Sequence, residues 1–173
     1  PVPPIAPSVR QTAIDAFFDA IPAEVRHGGD RAYFQPTFDY IQMPHRRSFK
    51  SMDHYASVRA HETVHWSGGT SRLARTFGKR FGDRAYSFEE LVAEIGSGLV
   101  CAHLGLPNEL HDNHASYVAH WLGILRADKT AIIHAASKAE QAFNYLAGFT
   151  SINPDVEGPS TPVEADERLA EAA

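Results

Sequence analysis

"RAHETVHWSGG", residues 59–69, contains His61-Glu62-x-x-His65. On a helix, residues four apart lie on one face, so His61 and His65 can aim two imidazoles at one ion. Glu62 is rotated about 100° from His61 and reaches a water beside the ion rather than the ion itself. Two ligands from one turn, with a base held next to the nucleophile, is what zinc hydrolysis needs. Four residues alone recur by chance, however. The alternative is a partly buried helix whose histidines make ordinary hydrogen bonds, so the surroundings have to decide.

Upstream, Ser51 is placed to start a helix that runs through His65, and Gly68-Gly69 ends it. Downstream, "SFEELVAEIGSG" at residues 87–98 reads as a second helix carrying Glu90 and Glu94 on one face. A catalytic zinc takes three protein ligands and keeps one position open. Glu90 is assigned as the third ligand. Glu94 is assigned as the outer group that accepts the N–H of a ligand histidine. Ser87-x-x-Glu90 also has the form of a capping box, in which case Glu94 becomes the ligand. Both orders stay open at this point. Glu89 is read as pointing away into solvent. Ser97 and Gly98 continue the glutamate face with small side chains that would let the two helices approach closely.

Composition narrows the class. The chain has 173 residues, 43% of them hydrophobic, enough for one domain with a core. A net charge of −5 argues against a dedicated nucleic-acid-binding domain. One cysteine excludes an internal disulfide framework and a cysteine-rich zinc site, and fits a reducing, cytoplasmic setting. No apolar run approaches the roughly 20 residues a bilayer requires, and no signal peptide is visible. The opening Pro1 is consistent with excision from a longer protein.

Residues 1–7 are proline-rich and read as a linker. Ser8 can cap a helix over Val9–Ala20 with Val9, Ala13, Ile14, Phe17 and Ile21 as its apolar set. Glu24–His27, Arg31–Gln35 and Asp39–Met43, separated by Gly28-Gly29-Asp30 and Pro36-Thr37, read as a small antiparallel sheet. The basic stretch from Arg72 to Arg84 reads as a loop. The glutamate helix is expected to stop at Gly105. Further helices are expected over about Asn113–Arg126 and Lys129–Leu146, the last with apolar Ile132, Ile133, Ala136, Phe143 and Leu146. Residues 149–173 are acidic, proline-rich and expected to be disordered. The expected fold class is α+β, mainly α, in one domain over residues 8–148.

"HETVHWSG", "AYSFEELVAEIGSGLVCAHLGL", "ASYVAHWLGIL" and "AASKAEQAFNYL", with "GGDRAYFQPTFDYIQMP" and "FKSMDHYASVRAHE" upstream, carry a resemblance. Together they resemble the zincin-like metallopeptidase domain of ArdC-type antirestriction proteins, a domain shared with plasmid primases and phage polyvalent proteins. The resemblance covers about Ala13 to Leu146. It implies a gluzincin-like fold, with a small sheet over the HExxH helix and a C-terminal helical half that supplies the glutamate. It implies one zinc ion, a protein or peptide substrate, and a role in protecting incoming mobile DNA from restriction. In the family the domain follows an N-terminal single-stranded-DNA-binding domain, which lies outside these residues. His61, Glu62 and His65 fall on the HExxH positions. Glu90 and Glu94 fall on the paired glutamates, without a choice between them. Thr63-Val64 replaces a pair that usually includes leucine, and neither residue is a ligand.

Several side readings remain. "FDYIQMP", with Pro44, is a candidate edge strand for an extended peptide. Tyr117 is a candidate oxyanion donor, as is His120, against a plain helix role for each. His54 is either an outer group or solvated. His27, His45, His103, His111, His114 and His134 lack partners at ligand spacing. Cys101, in an apolar run, reads as a buried, inert thiol. Arg72, Arg75, Lys79, Arg80 and Arg84, with Arg46, Arg47 and Lys50, read as a solvated charged surface or as phosphate contacts. Two functions are therefore expected: a zinc peptidase with Glu62 as base, or a metal-stabilised module that blocks restriction or assists DNA processing by contact.

Overall fold

The computed structural model describes residues 9–78, 84–106, 121–122, 126 and 129–150. The chain begins with α1 (Val9–Ala20) and continues through β1 (Glu24–His27), β2 (Tyr33–Gln35) and β3 (Tyr40–Met43). After a short 3-10 turn at Arg46–Ser48 come α2 (Met52–Ser67), α3 (Arg84–His103) and α4 (Ala131–Gly148). The expected linker at residues 1–7, the Ser8 cap, most of the helix over 113–126 and the tail from 151 lie outside the described residues. Trp121 and Leu122 are helical. No helix among the described residues is long and apolar enough to cross a membrane.

The mainly helical α+β class is as expected, but the sheet is mixed rather than antiparallel. Its order is β1-β3-β2, with β3 in the middle. β2 and β3 form an antiparallel hairpin, Tyr33 opposite Gln42 and Gln35 opposite Tyr40. Asp39 turns that hairpin with a left-handed φ of 55°. β1 runs parallel to β3, Val25 beside Ile41. The reason lies in Gly28-Gly29. Gly28 N–H donates to Met43 O at 2.9 Å, and Gly29 takes a φ of 68°. The chain leaves β1 along β3 instead of folding straight back, so no β1–β2 hairpin forms. "FDYIQMP" therefore lies on the central strand, not on an edge. The outer edges belong to β1 and β2.

α2 is the centre of the molecule and packs against β2, β3, α3 and α4. Ser51 caps it by accepting the N–H of His54 at 3.0 Å. From Tyr55 onward nearly every residue is buried. α1 covers one side with Ile14, Phe17 and Phe18, and Ile21 just after it is buried with them. That set keeps helical spacing, although Val9 and Ala13 from the expected set face solvent and Phe18 joins the core.

α3 begins at Arg84, so Ser87 lies inside the helix and is buried rather than capping it. The capping-box reading of Glu90 is thereby removed. A close approach to α2 falls at Gly96. A Cβ at Gly96 would sit 2.9 Å from Val64 Cγ1. α4 buries an alanine stripe, Ala131, Ala135, Ala139 and Ala142, with Leu146. The expected Ile132, Ile133 and Ala136 point outward. Small side chains allow close packing on α3, and bulk is left to the other face. Cys101 is buried as expected, and burial pushes its thiol up to about 11.

Candidate metal centre

His61 and His65 stand one turn apart on α2, and their Nε2 atoms are 3.2 Å from each other. Glu90 reaches across from α3. Its Oε2 lies 3.5 Å from His61 Nε2, and its Oε1 lies 3.7 Å from His65 Nε2. One ligand atom from each of the three residues falls within 4.8 Å of the others. Among the described residues no fourth side chain joins this cluster. The donor set fits a divalent cation. Zinc–nitrogen bonds of about 2.0–2.1 Å in a tetrahedral array hold two nitrogens roughly 3.3 Å apart. Glu62, beside His61 and buried, lines the same cleft of about 550 Å³.

The electrostatics show how strongly the site favours positive charge. Burial works against a charged His65, but hydrogen bonds to Glu89 and Glu90 outweigh it and raise its pKa to about 10. Burial likewise opposes a charged Glu90, yet His61 and His65 hold its carboxyl well below the ordinary range.

Glu94 Oε2 lies 3.7 Å from His61 Nδ1. Glu89 corrects the sequence expectation. It does not point to solvent but is 3% exposed. Its Oε1 accepts from His65 Nδ1 at 3.2 Å, and its carboxylate pairs with Arg75 Nη2 at 2.8 Å. α3 is packed almost all round over residues 89–93, so the position next to Glu90 also faces inward.

Two arginines of the basic segment after α2, Arg72 and Arg75, also differ from both readings made of that segment. Arg75 is buried against Glu89 and donates to Val64 O at 2.6 Å and Ser67 Oγ at 3.0 Å. Arg72 stacks on Trp66, 4.0 Å from the ring centre, and donates to Trp66 O and to Asp39 Oδ2. Neither guanidinium is a solvated charge or is presented to phosphate. The two glycines after the HExxH helix make room for them. A Cβ at Gly68 would meet Arg75 Nη2 at 2.7 Å, and one at Gly69 would strike Arg72. Arg46 pairs with Asp15 at 3.3 Å. Lys79, Arg80 and the side chain of Arg84 lie outside the described residues, as do Tyr117 and His120. His54 packs its ring on Phe49 rather than reaching the centre. His27 meets Tyr55 Oη at 2.9 Å. Nothing periodic in the sequence marks Arg75 or Glu89 as partners; the pair of glycines is the one local hint.

The profile of the zincin-like metallopeptidase family (MPTase-PolyVal) matches residues 12–138. The uncharacterised protein y4eC of Sinorhizobium fredii is 40% identical over 147 residues, 84% of this chain and 48% of that protein. A DNA primase TraC of Escherichia coli is 36% identical over 154 residues, 86% of this chain but 11% of the primase. Among solved structures, the Mn(II)-bound antirestriction protein ArdC from plasmid R388 superposes with a TM-score of 0.75 at 41% identity. That match covers 86% of this chain and 54% of ArdC. Metal-free ArdC gives a TM-score of 0.73 at 43% identity, over 84% and 52% of the two chains. The chain thus spans about half the length of y4eC and ArdC and about a tenth of TraC. With the profile running from the first helix into the last, and two histidines and a glutamate converging from the HExxH helix and its neighbour, this chain belongs to the zincin-like metallopeptidase family.

Proposed function

We propose that this domain is a metal-dependent peptidase of an ArdC-type antirestriction protein, acting on a protein substrate for a mobile genetic element. His61, His65 and Glu90 would hold one divalent cation, zinc or, as in the ArdC structure, manganese. Bound there, the ion supplies Lewis acidity that polarises a carbonyl and makes water a better nucleophile. Glu62 takes the proton from the attacking water and returns it to the leaving amine. Its buried place beside His61 suits that shuttle. Glu94 and Glu89 orient the two imidazoles through their Nδ1 atoms. The outer edge of β2, unpaired among the described residues, borders the same cleft through Tyr33 and Phe34, with Ala32 just before them, a rail along which an extended peptide can pair its backbone.

The observation behind this reading is the convergence of two Nε2 atoms and the Glu90 carboxylate beside Glu62. A purely structural site usually closes with four protein ligands and has no use for a neighbouring base. The test is the Glu62→Gln variant. It should bind zinc or manganese as tightly as the parent and cleave a peptide library at least ~100-fold more slowly, the lower end of a lost general base. Restriction protection in cells should fall with it. Full protection by Glu62→Gln, with no peptide cleaved by the metal-loaded parent, would instead assign the domain to protection by contact.

A further inference from the structure

We propose that Arg75 and Glu89 act as one positioning unit for His65, fixing its ring so that Nε2 faces the cation site. The inference rests on the reading that His61, His65 and Glu90 hold a divalent cation. It concerns a residue pair that the HExxH pattern does not include.

The geometry is specific. Both side chains are 5% exposed, and the closest contact between them is 2.8 Å. Arg75 Nε also donates to Glu89, 3.0 Å from Oε2 and 3.2 Å from Oε1. The remaining guanidinium contacts, to Val64 O and Ser67 Oγ, tie it to the last turn of α2. That is the turn on which His65 stands. Arg75 is thus fastened to His65's own helix at one end and to Glu89 on α3 at the other.

The chemistry follows from His65 Nδ1. An imidazole that donates Nδ1–H to a carboxylate leaves its Nε2 lone pair free for a metal. Glu89 Oε1 stands 3.2 Å from that Nδ1. A buried carboxylate with no countercharge would be costly and free to swing toward the cation as a rival ligand. The two-point grip of Arg75 removes both problems. It neutralises Glu89 and holds Oε1 on the far side of the ring. Gly68 is part of the device, because a side chain there would displace the guanidinium.

The test compares zinc affinity, by competition with a chromophoric chelator, with the Nδ1–H proton resonance of His65 in the zinc-loaded protein. Arg75→Lys keeps the charge but loses the two-point grip. Glu89→Gln keeps the size and one acceptor oxygen, and supplies the folded comparison if Arg75→Lys does not fold. Each should weaken zinc binding roughly 10- to 100-fold, as loss of an outer partner does. Each should also speed exchange of the His65 Nδ1 proton while the His61 signals stay in place. The double variant Arg75→Lys/Glu89→Gln should lose no more than the worse single one, because the pair acts as a unit. Arg72→Lys, which disturbs the same segment without touching a ligand, should bind zinc like the parent. Parent-like affinity in the folded Arg75 and Glu89 variants, or an equal loss in Arg72→Lys, overturns the inference while leaving the cation site intact. A parent protein that binds no zinc removes the cation reading, and this inference with it.

Discussion

Glu89 and Glu90 are neighbours in sequence and do different work. A step of about 100° round the helix separates them. That step turns Glu90 toward the Nε2 atoms of both histidines and Glu89 toward the far nitrogen of one. Glu94, one turn on, meets the far nitrogen of the other histidine. On the proposed reading, the three carboxylates divide into one inner ligand, Glu90, and two outer partners, Glu89 and Glu94. Glu90→Ala should lower zinc affinity by more than the roughly 10- to 100-fold typical of an outer group, and Glu94→Ala by no more than that. Metal content after dialysis at matched free zinc checks the order, and the reverse order would make Glu94 the ligand. The cluster of His61, His65 and Glu90 was legible in the sequence because its information is local. His61, Glu62 and His65 sit within one helical turn, and Glu90 stands on a periodic helix. Glu89 was not legible. Its burial depends on Arg75, which arrives from an irregular segment and reveals itself only when the chain is folded.

At the scale of elements, the candidate site is a joint between α2 and α3, since each contributes residues to it. The spacing of that joint is set where Gly96 passes Val64. Val64 is fully buried and stiff about its first side-chain bond, so it has little room to yield. Gly96→Val should cost about 1–3 kcal/mol, the usual penalty for overpacking a tight contact. It should also weaken zinc binding, because the helices that share the ligands are pushed apart. Gly148→Ala, in the last turn of α4 with nothing within 4 Å of the new Cβ, is the control. It should be neutral or stabilising by up to about 1 kcal/mol. Thermal melts with and without zinc measure both. Equal stability of Gly96→Val and the parent would show that the helices can slide. Sequence patterning found each of these helices but missed the contact at Gly96 and misjudged which face of α4 is buried. Hydrophobic periodicity looks for bulk, whereas close helix pairs are made by Gly96 and the alanine stripe. The same limit explains the sheet. Alternation located three strands, but pairing was decided by the turn at Gly28-Gly29, which alternation does not encode.

Across the whole molecule, the metal centre gathers negative charge in a place that burial makes expensive. Glu62, Glu89 and Glu90 are all buried near one another, Glu94 is partly so, and Arg75 answers Glu89. Against burial, hydrogen bonds to Glu89 and Glu90 raise the pKa of His65, so its imidazole can carry part of the missing charge. A divalent cation does so more fully, and it joins two helices that the chain itself connects only through a long segment. Binding to the folded form alone must then stabilise the fold. At a free concentration 100 times the dissociation constant, the gain is about 2.7 kcal/mol. For a domain of this size that corresponds to a rise in melting temperature of roughly 5–11 °C. Chelation should reverse the rise. Glu90→Ala should melt at one temperature whether or not zinc is present, since its inner set is broken. A parent protein whose melting point ignores zinc, manganese and chelator alike would mean that these carboxylates and imidazoles satisfy one another without an ion. The peptidase reading would then lose its physical basis, however well the HExxH pattern matches.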